Sequence, residues 1–252
     1  MNKTLLTTLG SALLTMTAAT AIADDDEIPF DEAFVFFELN NTDGDLGIHA
    51  KVDGGPWKRL IIERDWDDKK LLDLRLKSKL RRQGLTELFF ESAEPTFDEL
   101  DPEKFFRRFP EGTYEVEGVS LDDEELESET ELTHLIPAAP VAQINGMDAA
   151  EDCDADLPVV NGDEDVVITW APVTLSHPEL GRTNEPIEVV NYEVVAEIDD
   201  SPYNVAAILP PDATSFVIPK EIIELEDEIK FEILVREASY NQTAMESCFE
   251  VE

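Results

Sequence analysis

Apolar and polar residues alternate with a period of two in both halves of the chain, which is the pattern of a β-strand with one buried face. In the first half, Leu72, Leu74 and Leu76 alternate with charged residues, and the alternation continues to Leu80. In the second half, residues 228–238 alternate in the same way. The same reasoning predicts further strands at residues 33–39, 47–52, 57–63, 85–91, 112–118, 126–135, 166–170, 189–198, 215–219 and 247–251.

Turn residues and a helix-capping residue interrupt this alternating pattern and mark where the predicted elements begin or end. An Asp-Gly pair at residues 43–44 and an Asp-Gly-Gly run at residues 53–55 predict hairpin turns, because glycine adopts the backbone angles that tight turns need. One short helix is predicted over residues 101–109, where Asp101 suits the N-cap and Pro102 suits the first helical position. Its phenylalanines would cover the end of a β-sandwich core.

The chain divides near a proline-rich segment at residues 137–140. Strands dominate on both sides of this segment, and short strands separated by turn residues are typical of β-sandwiches. The sequence therefore predicts an all-β protein of two tandem β-sandwich domains with one short helix. The first domain is expected over residues 24–137 and the second over residues 138–252.

The second half resembles a fibronectin type III domain. The resemblance rests on Pro140, Ile168-Thr169-Trp170, Asn191-Tyr192-Glu193-Val194, Leu225, and Phe231, Ile233 and Val235. Phe231 stands where the family usually has a tyrosine, so the hydroxyl of that tyrosine is absent. The first half resembles an immunoglobulin-like sandwich in its segment Gly112-Thr113-Tyr114-Glu115-Val116. Together the halves are similar to a family of secreted bacterial proteins that pair such modules, and the resemblance implies no catalytic residues.

Residues 1–23 have the features of a secretory signal peptide. Lys3 forms a short basic start, an apolar run follows, and Ala21-Ile22-Ala23 matches the small residues before a cleavage site. Export is therefore expected, with removal of the segment after Ala23 and a periplasmic or secreted location. No later segment is long and apolar enough for a membrane span.

Two cysteines, Cys153 and Cys248, are expected to form one structural disulfide in an oxidising compartment. A redox pair is the alternative, but the spacing is not CxxC and no basic residue flanks either thiol.

Composition narrows the function. The chain has 19 basic and 58 acidic residues, giving a formal net charge of −39. Such a charge repels phosphate, so nucleic acid is not an expected partner. Three histidines and two cysteines make a His- or Cys-rich metal enzyme improbable. The motifs of serine hydrolases, zinc peptidases and nucleotide-binding enzymes are missing, so no nucleophile–base pair can be assigned.

A run of oxygen-bearing side chains at residues 40–45 is the best candidate for a metal site. Asn41, Asp43 and Asp45 surround the Gly44 turn, and Ca²⁺ is bound by oxygen ligands in such loops. The pattern is incomplete as a helix-loop-helix calcium loop. The alternative is a hairpin turn that needs no metal. No cofactor other than calcium is expected.

Basic residues are concentrated in one stretch. Residues 58–82 hold ten of them against five acidic residues, inside a strongly negative protein. The candidate ligand-binding residues for an anionic partner are Arg75, Lys77, Lys79, Arg81 and Arg82. The alternative is a solvated surface that docks on the acidic second half. Trp57 and Trp66 are a weaker candidate platform for stacking on sugar rings.

These observations predict an exported, non-enzymatic binding or adhesion module whose partner is a protein or a surface polysaccharide. Two alternatives remain open at this point. One is a glycan-directed enzyme or enzyme accessory domain, and the other is a structural protein of the cell envelope.

Overall fold

Strands dominate both halves of the protein, and the all-β fold class is confirmed. The computed structural model describes residues 27–198 and 201–252, so the predicted signal peptide lies outside the described residues. The first half contains β1 (Glu32–Asn40), β2 (Asp45–Arg64), β3 (Lys70–Arg75), α1 (Leu80–Gln83), β4 (Leu85–Glu91), α2 (Pro102–Arg108), β5 (Gly112–Ser120) and β6 (Glu125–Leu132). The second half contains β7 (Ala142–Ile144), β8 (Met147–Asp148), β9 (Val159–Val160), β10 (Val166–Trp170), β11 (Val189–Glu197), β12 (Asn204–Leu209), β13 (Ser215–Ile218), α3 (Lys220–Ile223), β14 (Glu228–Glu237) and β15 (Gln242–Val251).

Strand β2 organises the first sandwich because it belongs to both of its layers. The first part of β2 pairs with β1 and β4, and the second part pairs with β3 and β5. The register shifts between Asp53 and Trp57, so the strand bends there without ending. The hairpin turn predicted at residues 53–55 is therefore wrong. Those glycines permit a bend within one 20-residue strand.

The side chains between these layers form the first hydrophobic core. Trp57, Leu60 and Phe37 are fully buried there. Helix α2 closes one end as predicted: Asp101 accepts hydrogen bonds from the backbone N–H groups of the first turn, at 2.9 and 3.3 Å. Phe106 of this helix packs edge-on against Phe37, with ring centroids 5.5 Å apart.

The second sandwich has a four-stranded sheet in the order β13-β10-β7-β8, which faces a sheet containing β12-β11-β14-β15. Trp170 and Tyr192 lie between the two sheets with ring centroids 5.4 Å apart. The Tyr192 hydroxyl accepts a hydrogen bond from the backbone N–H of Val173 at 2.9 Å. Leu225, quoted for the fibronectin resemblance, is 46% exposed, and Ile223 is buried instead. That one part of the resemblance is wrong, because α3 points Ile223 into the core.

A disulfide between Cys153 and Cys248 joins the loop before β9 to β15. The two residues are separated by 95 positions in the sequence. Cys248 is buried, but it lies opposite Lys230 in the register of β14 and β15, so it is on the other face of β15 from the core residue Phe249.

The two halves share one sheet. Strand β1 pairs in parallel with β15, with Glu38 opposite Gln242 and Asn40 opposite Ala244. The sheet of the second sandwich therefore continues into the first half, in the order β12-β11-β14-β15-β1-β2-β5-β6. The domain boundary near residues 137–140 stays a prediction, but strand pairing crosses between the halves.

Asn241 joins the halves at this junction and is completely buried. Its side-chain oxygen accepts the backbone N–H of Phe37 at 2.8 Å. Its amide group donates to the carbonyl oxygens of Thr133 at 2.9 Å and Leu135 at 3.3 Å. A hairpin-turn asparagine of the second half thus satisfies backbone groups of the first.

Helix α1 was not predicted. The alternation through Leu80 favoured a longer strand, but β3 ends at Arg75 and Leu80 is 52% exposed on α1. Over residues 27–198 and 201–252, no helix is long and apolar enough to cross a bilayer.

Candidate functional site

The outer face of the shared sheet carries polar side chains from both halves. Side chains alternate between the two faces of a strand, so the strand registers identify the residues that share this face. We call this surface the outer sheet face; its polar members are Lys230, Glu232, Glu246, Gln242, Glu38, Asp45 and His49. Across the junction, Gln242 donates a hydrogen bond to the carboxylate of Glu38. Polar contacts on this face therefore run from one half into the other.

The outer sheet face has a depression at Gly47, because glycine has no side chain to cover the sheet there. Gly47 lies opposite Glu38 in the register of β1 and β2, and it separates Asp45 from His49 along β2. The carboxylate of Glu94 fills the vacant space, because a Cβ added at Gly47 would lie only 2.8 Å from Glu94 Cγ and closer still to its carboxylate. We call the depression formed by Glu38, Gly47, His49 and Glu94 the Gly47 cup.

The segment after β4 holds Glu94 in this position. Ser92 and Ile48 form two hydrogen bonds: the Ser92 hydroxyl accepts the N–H of Ile48 at 3.0 Å, and the Ile48 carbonyl accepts the N–H of Ser92 at 3.1 Å. Further along, the N–H of Phe97 donates to the carbonyl of Gly44 at 2.8 Å. The backbone on both sides of Glu94 is thus fixed to β2 and to the turn before it.

His49 is the buried centre of the cup, with 1% of its surface exposed. Its Nε2 lies 2.9 Å from Glu94 Oε1, and its Nδ1 lies 3.6 Å from Glu38 Oε2. Nδ1 has no hydrogen-bond partner among the described residues. One carboxylate oxygen of Glu38, one of Glu94 and a ring nitrogen of His49 lie within 4.8 Å of one another.

Burial and mutual repulsion raise the pKa values of the carboxylates on this face. Burial raises the pKa of Glu38 above its usual range despite the favourable interaction with His49. The pKa of Asp45 rises to about 6, first through burial and then through Glu94. The pKa of Glu232 rises to about 7, again through burial first and then through Glu38. This face therefore has carboxylates that change charge near neutral pH.

The structure gives the three predicted calcium ligands different partners. Asn41 Oδ1 lies 3.2 Å from the Nε2 of His177. Asp43 accepts a hydrogen bond from the side chain of Asn40 at 3.3 Å. Asp45 Oδ1 is buried without a hydrogen-bond partner among the described residues. Calcium binding by this loop stays a prediction.

The basic stretch separates into a paired part and an unpaired part. Its earlier members form ion pairs within the first half: Lys58 with Asp123, Arg59 with Asp73, Arg64 with Asp67, Lys69 with Asp67 and Lys70 with Glu63. Arg75 donates to Asp73 at 3.3 Å. These partners are acidic residues of the first half, so the contacts do not support docking on the acidic second half.

Four candidate ligand-binding residues remain exposed on the turn that contains α1. Lys77, Lys79, Arg81 and Arg82 take part in no ion pair among residues 27–198 and 201–252. We call these four residues the basic turn. An anionic group could approach it without displacing an existing carboxylate.

The proposed sugar platform is wrong for one of its two tryptophans. Trp57 is fully buried in the first core, whereas Trp66 is 47% exposed. The Arg64 guanidinium lies over the Trp66 ring, 5.0 Å from its centroid. Two exposed indole rings side by side, which a stacking platform needs, are therefore not present at these positions.

The sequence did not indicate that Glu38, His49 and Glu94 lie together. They come from three separate segments of the chain. The only local signal is the alternation Asp45, Gly47, His49, in which a glycine separates two potential ligands on one face.

Comparisons with known proteins add little beyond this geometry. No family model and no curated protein sequence matches the chain. The crystal structure of chicken CNTN1 FN1-FN3 domains is 8% identical, with 89% of this chain and 68% of that chain covered and a TM-score of 0.31. A titin fragment is 12% identical, with 86% and 66% covered and a TM-score of 0.27. A 1.5-MDa bacterial ice-binding adhesin is 10% identical, with 90% and 66% covered and a TM-score of 0.27. At such scores the assignment of the fold rests on the strand order and the two cores.

Proposed function

We propose that this chain is an exported, non-enzymatic binding module that attaches to an anionic surface polysaccharide through the basic turn. The observation that carries the proposal is the set of four exposed cations that form no ion pair within the described part of the chain, in a protein whose formal net charge is −39. Elsewhere in the same stretch, basic side chains are paired with nearby carboxylates. A polymer with repeated negative charges could contact several unpaired cations at once.

Three further features support this proposal. Residues 1–23 have the pattern of an export signal, and a disulfide suits an oxidising compartment. The basic turn belongs to a connection between strands, and such connections on a rigid sandwich often bind partners. The high negative charge of the remaining surface would repel an anionic polymer, so binding would be restricted to this turn.

The test is binding to two immobilised probes, a sulfated and a carboxylated polysaccharide, across a series of NaCl concentrations. Replacing Arg81 and Arg82 by Glu should weaken binding about tenfold, because each exposed contact contributes at most about 1 kcal/mol. Binding of the unaltered protein should weaken steadily as salt increases.

A matched control separates a local site from total charge. Lys104 and Arg108 are exposed on α2, and their replacement by Glu makes the same change in net charge. This control should keep at least half of the affinity. An equal loss in both variants, or binding that ignores salt, would overturn the proposal, and so would cleavage of either probe.

A further inference from the structure

The Gly47 cup has an arrangement that hydrogen bonding within the protein does not fully explain. A buried imidazole is held from one side by Glu94, while its other nitrogen faces a carboxylate without bonding to it. Buried polar atoms are normally hydrogen-bonded, so an unpaired ring nitrogen aimed at an oxygen requires a reason. Three side chains from separate segments converge on this point: two carboxylates and one imidazole, all of which can bind a metal ion.

The hydrogen bond to Glu94 determines which nitrogen is free. When Nε2–H donates to Glu94, the ring is the tautomer whose Nδ1 carries a lone pair directed towards Glu38. A carboxylate that orients a histidine in this way is the usual support of a metal-binding imidazole. Glu38 has its own support, since Gln242 donates to it and Arg236 in turn donates to Gln242 at 2.8 Å.

The distance between His49 Nδ1 and Glu38 Oε2 suits two ligands of one cation better than a direct hydrogen bond between them. Two ligand atoms at about 2.1 Å from a tetrahedral zinc ion are about 3.4 Å apart. The separation of 3.6 Å between His49 Nδ1 and Glu38 Oε2 is too long for a hydrogen bond and close to this value. Glu94 lies on the other side of the ring, 2.9 Å from Nε2, so it orients the imidazole and does not reach a cation at Nδ1.

We propose that the Gly47 cup binds one divalent transition cation of the zinc class, with Glu38 and the Nδ1 of His49 as its protein ligands, Glu94 orienting the imidazole through Nε2, and water in the remaining positions. The combination of an imidazole nitrogen with a carboxylate favours Zn²⁺ over Ca²⁺ and Mg²⁺, which prefer oxygen ligands alone. Mn²⁺ favours oxygen ligands more than Zn²⁺ does and binds more weakly to such sites. This cation site is separate from the basic turn, so neither proposal depends on the other.

The Gly47 cup also lies beside the junction of the two halves, so binding of a cation there would affect the stability of the fold. Glu38 belongs to β1, the strand that pairs with β15 of the second half. His49 belongs to β2, and Glu94 follows β4. A bound cation would tie Glu38 of β1 to His49 of β2, which Glu94 already holds, and would stabilise the edge of the first sandwich that meets the second.

The experiment is calorimetric titration of the purified protein with ZnCl₂, MnCl₂, CaCl₂ and MgCl₂ separately. We use 0.3 M NaCl because salt screens the diffuse attraction between cations and an acidic surface. One equivalent of Zn²⁺ should bind. Glu38→Gln and Glu94→Gln should each weaken binding at least tenfold. Several weak equivalents that these substitutions leave unchanged would overturn the proposal.

Two matched variants sharpen the result. Glu91→Gln removes a neighbouring negative charge without removing a ligand, so affinity should change less than threefold. Gly47→Ala keeps every ligand but places a methyl group where Glu94 now lies, so affinity should fall at least tenfold. If Glu91→Gln lost as much zinc affinity as Glu38→Gln, negative charge alone would attract the ion, and the Gly47 cup would not be a specific site.

A direct readout avoids dependence on mutant folding. The chain has three histidines, so the ring nitrogens can be followed by ¹⁵N NMR with few signals. Zn²⁺ should shift the Nδ1 signal of His49 and leave His134 unchanged. Zinc binding without a change at His49 would overturn the assignment. Asp43→Asn separates this site from the predicted calcium loop, because it should leave zinc affinity unchanged.

Discussion

The two faces of the shared sheet are organised differently. Its inner side is divided between two hydrophobic cores, one containing Trp57 and Phe37 and the other containing Tyr192 and Phe231. Its outer face is continuous, because polar side chains of both halves contact one another across β1 and β15. The inner side therefore stabilises each half separately, while the outer face and its junction couple the halves.

The difference shows where changes in the protein should remain local and where they should spread. Packing forces act over contact distance, so a defect in one core should affect mainly that half. Buried hydrogen bonds at the junction and crowded carboxylates on the outer face involve both halves at once. Four substitutions test this contrast, in order of expected effect.

Removing the disulfide should give the largest effect and should remain local. Replacing Cys153 and Cys248 by Ala should lower the free energy of unfolding by about 4 kcal/mol, because the unfolded chain gains the freedom of a long loop. Hydrogen exchange read by peptide should show lower protection in β14 and β15, with β5 and β6 changed least. Equal loss in both halves would contradict an effect confined to the second half.

Asn241→Ala should destabilise the protein by about 3 kcal/mol and affect both halves. The substitution leaves the buried N–H of Phe37 and the carbonyl of Thr133 without partners, and buried unpaired groups are costly. Protection should fall in β1 as well as in β15. A loss confined to β15 would show that the junction does not couple the halves. Asn145→Ala, a turn position elsewhere in the second half, is the comparison variant.

Glu232→Gln should stabilise the protein at pH 8 by about 1–2 kcal/mol and have little effect at pH 4.5. The folded-state pKa of Glu232 is raised from 4.5 to about 7 by burial and by the neighbouring carboxylates of Glu38 and Glu246. The folded state therefore binds the proton more tightly, and stability falls as pH rises from 4.5 through 7. Melting temperatures of Glu232→Gln at both pH values measure this effect, and Glu197→Gln, which changes an exposed residue, serves as the comparison variant. A gain of equal size at both pH values would contradict it.

Arg81→Glu with Arg82→Glu should change the free energy of unfolding by less than about 0.5 kcal/mol, since exposed side chains without partners contribute little. The same variant is expected to lose polysaccharide binding. Chemical denaturation measures the first effect. A large loss of stability would show that the basic turn is held by the fold and is not a free surface.

Much of the fold could be predicted from the sequence because it depends on local patterns. Alternation located most strands, and Asp101 with Pro102 located α2. The bend in β2 could not be predicted, since Gly54 and Gly55 suit a turn and a bent strand equally well. The burial of Ile223 in place of Leu225 depends on the phase of a four-residue helix, which sequence patterns do not define.

The two candidate sites also differ in how far the sequence alone could predict them. The basic turn is contiguous in sequence, so charge counting found it, although only pairing in three dimensions showed which cations are free. The Gly47 cup combines Glu38, His49 and Glu94, whose proximity depends on strand register and on a loop fixed by Ser92. Among 58 acidic residues, no count could indicate that these two carboxylates meet one histidine.

The pairing of β1 with β15 also determines when folding can finish. Phe37 and Asn241, which bond across the junction, are 204 residues apart in sequence. During synthesis β1 emerges long before β15, so the edge of β1 stays open while the residues between them are made. An unpaired edge is a site for mispairing with other chains, and contacts of such long range form slowly. Completion of the edge of the first sandwich therefore depends on the ten-residue strand β15 of the second half.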